Sequence, residues 1–244
     1  MYKKKASYVI PSDPIIHVKT IKTESEPVSS VNLDYSKPQS TQQPAVFTII
    51  FSGGTKTEKN YFNPILKHPE NFPSLKLKFE ADDILLKNHN PRVFSTAYAV
   101  QDRYAKSKVK EKPDKYYIVT DVDLFMPFIQ SNKPICETRG ITLVVSNPCF
   151  EVWNYYSKYT DKFTEFVMPT DSEKLSHELK IYVHTRTEPQ IKEKIVLYDL
   201  VNNISNSKAN YAEDSLGIPA LFSTNMHILG EDILCHVEKI LNKP

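Results

Sequence analysis

Asp121 and Asp123 stand two apart at the end of the apolar run YYIVTDVD (116–123). Carboxylates placed so at a strand's end can converge on one hard cation such as Mg²⁺, whose remaining positions go to water and substrate phosphate. Glu58 follows another apolar run and reaches the same edge if the two strands are neighbours. Each acid also has a plainer reading: Glu58 completes a Thr55-x-x-Glu58 capping box, and the aspartates cap a turn. Both readings stay open on the sequence. Glu151 falls in the first turn of a helix entered at Pro148, where its charge suits the helix dipole.

The chain has only five glycines, yet Gly53 and Gly54 are adjacent and directly follow an apolar run. Glycines there let the backbone turn sharply and approach a ligand, and the N–H groups of the following helix face a phosphate that Lys56 steadies. The segment GGTKTE (53–58) has neither the P-loop spacing nor the Gly-x-Gly-x-x-Gly of dinucleotide sites, which disfavours both classes. The seven histidines show no His-Glu-x-x-His and no spaced cluster, so zinc is not expected. Cys136, Cys149 and Cys235 fit neither a disulfide framework nor a zinc site and read as reduced cytoplasmic thiols. Cys149 and Trp153 are expected to pack, and His227 to be a hydrogen-bonded residue at a helix start.

The elements that must carry these residues are legible in the apolar pattern. AVFTIIFS (45–52) reads as a strand covered on both faces, and the helix after it buries Tyr61, Phe62, Ile65 and Leu66. Pro64 leaves two readings for that helix, a start near Asn60 or an irregular course. LKLKFEAD (75–82) alternates as a half-buried edge strand, and Phe94, Ala97, Tyr98, Gln101, Tyr104 and Ala105 trace one helix face. YYIVTDVD and GITLVVS (140–146) are further strands. Asn147 as N-cap and Pro148 as first helical residue lead the chain directly into a helix. Beyond 170 the period is helical over 172–183, 189–205 and 225–242, the last with a stripe of Ile228, Leu229, Ile233, Leu234, Val237, Ile240 and Leu241, and no strong strand signal. Strands alternating with helices predict an α/β fold with a mainly parallel sheet flanked by helices and a helical C-terminal part. Ligands of such sheets bind beyond the carboxyl ends of the strands, where Gly53-Gly54 and Asp121–Asp123 sit.

The net charge of +2 lies wholly in residues 1–44, which hold six lysines against four acids, so the body is neutral and any phosphate recognition must be local. The lysine run 106, 108, 110, 112 and 115 reads as a solvated helix end and loop. Residues 1–44, with five prolines and seven serines, read as an extension, disordered or in part an edge strand around Ile16, Val18 and Ile21. No run approaches the roughly 18 apolar residues of a membrane span, and the apolar stretch before Pro11 is too short for a signal peptide. A cytoplasmic protein without membrane contact is expected.

Taken in order, GGTKTEKNYF (53–62), YYIVTDVD (116–123), SNPCFEVW (146–153) and FSTNMHIL (222–229) resemble the motifs of the RloB-like family. The resemblance implies an RloB-like domain over 45–244, with a Toprim-like α/β core at 45–160 and a mostly helical part at 161–244. It also implies a role in bacterial phage defence and abortive infection, beside restriction-modification genes and an ATPase partner. The implied chemistry is Mg²⁺- or Mn²⁺-assisted phosphodiester cleavage of nucleic acid. The Asp-x-Asp pair falls on Asp121 and Asp123, the Thr-Glu acid on Glu58, and the Asn-Pro-Cys-Phe-Glu acid on Glu151. The family's leading glutamate is replaced by Gly53, which supplies no carboxylate. Two main readings follow: a nuclease in which Asp121, Asp123, Glu58 and Glu151 hold the metal and Glu58 shares that work or acts as base, or a catalytically degenerate nucleic-acid-binding or regulatory module working with the ATPase partner. A nucleotide-binding sensor built on the Gly-Gly turn is a third.

Overall fold

Three runs rich in β-branched and aromatic residues and one alternating run, LKLKFEA, become the parallel strands of one sheet. The computed structural model describes residues 46–67, 74–86, 90–123, 125–187 and 196–241. The extension at 1–44, with its expected edge strand, and the start of the helix expected at 189–205 lie outside these residues. In chain order the elements are β1 (Val46–Ser52), α1 (Thr57–Lys67), β2 (Leu75–Ala81), α2 (Val93–Lys106), β3 (Lys115–Asp121), α3 (Met126–Arg139), β4 (Ile141–Asn147), α4 (Glu151–Tyr155), α5 (Leu175–Thr187), α6 (Val196–Ala209), β5 (Ser223–Thr224) and α7 (Met226–Leu241). The sheet order is β2-β1-β3-β4-β5, parallel except for β5, which runs antiparallel to β4. This is the mainly parallel α/β architecture that the alternation of strands and helices predicts.

The central strands are covered on both faces while the edge strand β2 is half-buried, and the two-residue period of a strand sorts its side chains between the faces. Ile49, Phe51, Ile118 and Val145 point to the layer of α2 and α3, where they meet Phe94, Ala97 and Ile129. Ile50, Tyr117, Val119 and Val144 point the other way, onto Phe62, Trp153, Ile204, Leu229 and Ile233. A third cluster packs α4 on α5 through Val152, Tyr155 and Tyr156 against Leu179 and Val183. Beyond β5 the edge of β4 is closed by one side chain: Asn225 accepts from Val145 N–H at 2.6 Å and donates to Leu143 O at 3.0 Å, as a neighbouring strand would.

Several local expectations are corrected. The Thr55–Glu58 capping box does not form, because α1 begins at Thr57 and the Thr55 hydroxyl turns to Asp83 Oδ2 at 3.3 Å. The helix also starts before Asn60 and runs through Pro64. Asn147 caps no helix: it belongs to β4, opposite Ser223, and its amide donates to Pro219 O at 2.8 Å. The chain therefore turns through 148–150 before α4 begins at Glu151. β5 itself is a strand in a segment with no strand signal. In α2 Ala105 is exposed, and in α7 Ile228 faces solvent while Met226, Leu229, Ile233 and Val237 keep the buried spacing. The three cysteines are free, with Cys136 and Cys149 buried. Lys106, Lys108, Lys110 and Lys112 are exposed, as a solvated helix end and loop should be, whereas Lys115 opens β3 and pairs with Asp232 at 2.8 Å. Among the described residues no helix is long and apolar enough to cross a membrane.

Candidate functional site

Strand register sets the site. Ser52 closes β1 opposite Val119, so β3 runs on past it and lifts Asp121 beside the Gly53–Gly54 turn. Gly53 N–H donates to Val119 O at 3.1 Å and Gly54 N–H to Ser52 Oγ at 3.1 Å, so both glycine donors are engaged within the chain. What Gly54 contributes instead is space. The Glu58 carboxylate, carried on the first turn of α1, folds back against its Cα so closely that a Cβ there would overlap it. At Gly53 an added Cβ would meet only Thr120 Oγ1, at 3.7 Å. On the other side, β4 ends beside β3 with Asp121 opposite Ser146, and the turn into α4 delivers Glu151 as the first residue of that helix.

These elements enclose a cavity of about 300 Å³. All the residues singled out in the sequence line it: Gly53, Gly54, Lys56, Glu58, Asp121, Asp123 and Glu151. Its wall also includes Thr57, Phe125, Phe150 and, from α5, Lys180. Four carboxylates thus face two ammonium groups. Glu58 and Glu151 are 5% and 2% exposed, an unusual depth for acids. Glu151 Oε1 accepts from the Thr57 hydroxyl at 3.4 Å and lies 3.8 Å from His184 Nε2. Asp123 is the exposed member, at a positive φ of 20°.

The electrostatics are those of crowded acid. Burial, then the charges of Glu58 and Glu151, hold the Asp121 carboxyl well above the ordinary carboxylate range, and Lys180 only partly relieves it. Glu58 is likewise raised, first by burial and then by Glu151, against the pull of its own backbone N–H and of Lys180. Burial works against the Lys180 ammonium, yet Glu151 and Asp121 carry its pKa above the ordinary lysine value. Two carboxylate oxygens, Asp121 Oδ1 and Glu151 Oε2, are buried with no hydrogen-bond partner among the described residues. Buried polar atoms are ordinarily paired, and these two acceptors in one cavity have lone pairs that a proton or a cation would satisfy.

Hard, orphaned carboxylate oxygens suit Mg²⁺ or Mn²⁺ in chemistry. In their present rotamers, no three His, Cys, Asp or Glu side chains among the described residues form a ready cage for an ion. Lys180 carries no sequence signal, being one lysine on a helix with no motif and far along the chain from the acids it faces. Cys149 is buried with its thiol pushed up chiefly by burial, which suits packing rather than nucleophilic attack. Trp153 is wholly buried, and His227 lies at the start of α7 against Tyr211.

A family model described as RloB-like protein matches residues 48–233. No curated protein and no solved structure matches the chain.

Proposed function

The chain belongs to the RloB-like protein family, and from that premise and the four-carboxylate cavity we propose that it is a Mg²⁺-dependent nuclease of bacterial phage defence, acting in the cytoplasm by abortive infection. The observation that carries this reading is the pair of buried, unpartnered oxygens, Asp121 Oδ1 and Glu151 Oε2, beside Glu58 at the carboxyl ends of β1 and β3. Asp121, Glu151 and Glu58 would hold the cation, with Asp123 on the solvent side. When bound, the cation supplies positive charge to phosphoryl oxygens and a more acidic water. Without a counter-cation, burial and mutual repulsion favour a proton on Asp121; a bound cation would favour its carboxylate. Glu58 would accept a proton from water, and Lys56, an exposed residue of the cavity lining, would meet the entering phosphate.

The test is incubation of the purified protein, with and without a neighbouring ATPase, with Mg²⁺ or Mn²⁺ and single-stranded and duplex DNA and RNA. Cation-dependent cleavage that chelation abolishes is expected. No cleavage under any of these conditions would contradict nuclease action.

A second reading is a catalytically degenerate nucleic-acid-binding or regulatory module working with an ATPase partner. It is favoured by the glycine at 53, by the exposure of Asp123 and by the lack of a ready cage. Oligonucleotide binding without cleavage would select it.

The role of Gly54 gives a sharper expectation. Gly54→Ala should displace the Glu58 carboxylate and weaken Mn²⁺ binding about 10- to 100-fold, while changing stability by less than about 1 kcal/mol, since only the mobile end of one side chain must shift. Gly53→Ala, which meets ordinary contact distances, should bind Mn²⁺ like the parent. Calorimetric titration distinguishes the two, and equal affinity in both variants would show that Glu58 takes no part.

A further inference from the structure

Among the residues lining the cavity, Lys180 alone comes from α5. The helix is locked by Leu179 and Val183, buried against Val152, Tyr155 and Tyr156, so its orientation is fixed by packing rather than by charge. That orientation brings Lys180 and His184, one helical turn apart, to the side facing the acids, with His184 Nε2 3.8 Å from Glu151 Oε1. Lys180 lines the cavity together with Glu58, Asp121, Asp123 and Glu151. Yet among the described residues no hydrogen bond or ion pair fixes its ammonium. The contrast with other lysines is informative: Lys76, Lys115, Lys133 and Lys208 each hold a carboxylate at 2.5–2.8 Å. A lysine serving only to neutralise the cluster would be expected to close on it in the same way.

A phosphodiester approaching this cavity meets carboxylates that repel it, and an ammonium among them, further in than Lys56, offsets that repulsion beside the divalent cation. We propose that Lys180 is a second phosphate-binding residue of the pocket, beside Lys56, its ammonium donating to a non-bridging oxygen of the nucleic-acid backbone and so positioning that phosphate over the carboxylates. The proposal rests on reading the cavity as a phosphodiester site. It gives the helical C-terminal part a direct share in substrate binding, in place of a purely supporting role.

The test uses the full chain and its Lys180→Met and Lys180→Arg variants. Mn²⁺ affinity is measured by calorimetry, and binding of a short oligonucleotide, single-stranded and duplex, is followed in Ca²⁺ across a salt series. Loss of one charge-assisted contact should weaken the oligonucleotide about tenfold in Lys180→Met. It should also flatten the slope of log affinity against log salt by about 0.7 to 0.9. Mn²⁺ affinity should be equal or higher, because a competing charge has gone, and Lys180→Arg should recover most of the oligonucleotide binding. Unchanged oligonucleotide affinity and slope in Lys180→Met, or a fall in its Mn²⁺ affinity, would overturn the proposal and leave Lys180 a structural counter-charge. Wild-type protein that binds Mn²⁺ but no oligonucleotide would overturn it too. Wild-type protein that binds neither would remove the underlying site reading along with it.

Discussion

Asp121→Asn is expected to make the metal-free protein more stable and at the same time to abolish its response to Mn²⁺. The carboxyl is raised above its ordinary value of 3.8, first by burial and then by Glu58 and Glu151. The folded chain therefore holds this proton at pH values where the unfolded chain has released it, and the linkage has a definite sign. Stability is greatest below the ordinary value, falls as pH rises from there toward the raised one, and is level above it. The amide cannot ionise, so the variant should lose this part of the pH dependence and melt higher at neutral pH. Mn²⁺ should stabilise the wild type and leave the variant unmoved. A cation that binds only the folded state adds about 2.7 kcal/mol at a hundredfold excess over its Kd, and that gain should appear in the wild type and vanish in the variant. Cleavage should fall by about a thousandfold or more, the size of several kcal/mol of lost charge stabilisation. Thermal melts at several pH values with and without Mn²⁺ check all but the last point. A variant that melts lower than wild type and still responds to Mn²⁺ would contradict the assignment.

Trp153→Ala should cost about 3–5 kcal/mol, the range for emptying a fully buried large aromatic site. The indole is wholly buried between the sheet and α6–α7, in a cluster with Tyr61, Phe150, Ile204 and Leu229. α7 comes so near that a Cβ at Gly230 would lie 3.2 Å from the ring's Cη2. The backbone is tied as well, since the Trp153 carbonyl accepts from the Asn203 amide. Because Trp153 lies on the same short helix as Glu151, the loss should reach the cavity: Mn²⁺ affinity should fall along with stability. Urea titration followed by Mn²⁺ titration at low urea is the check. A loss below about 1 kcal/mol would mean that α4 is held by other contacts.

The parts of this molecule legible in the sequence are those fixed by burial. Runs such as AVFTIIFS and GITLVVS have one solution in an α/β protein, a strand dry on both faces, and β1 and β4 lie over them. Once these strands are parallel neighbours, the meeting of Glu58 with Asp121 follows from register, since Ser52 pairs with Val119 and leaves Asp121 beside the Gly53–Gly54 turn. Cap chemistry was less legible because polar side chains had better partners elsewhere: Thr55 takes Asp83, and Asn147 takes the carbonyl of Pro219. α3 left little trace, with Pro127 and Pro134 breaking the pattern of MPFIQSNKPICETR. β5 is two small polar residues whose strand character comes from Ser146 and Asn147 across the sheet. Lys180 depends on how α5 packs on α4, which no local spacing encodes.

The most direct measurement is anomalous diffraction from a crystal soaked in Mn²⁺. A single peak among Asp121, Glu151 and Glu58, with those side chains turned inward to meet it, is the predicted result. Mn²⁺ found only at exposed carboxylates elsewhere, or no peak at a concentration that saturates comparable carboxylate sites, would contradict the claim that α1, β3 and α4 build one cation site.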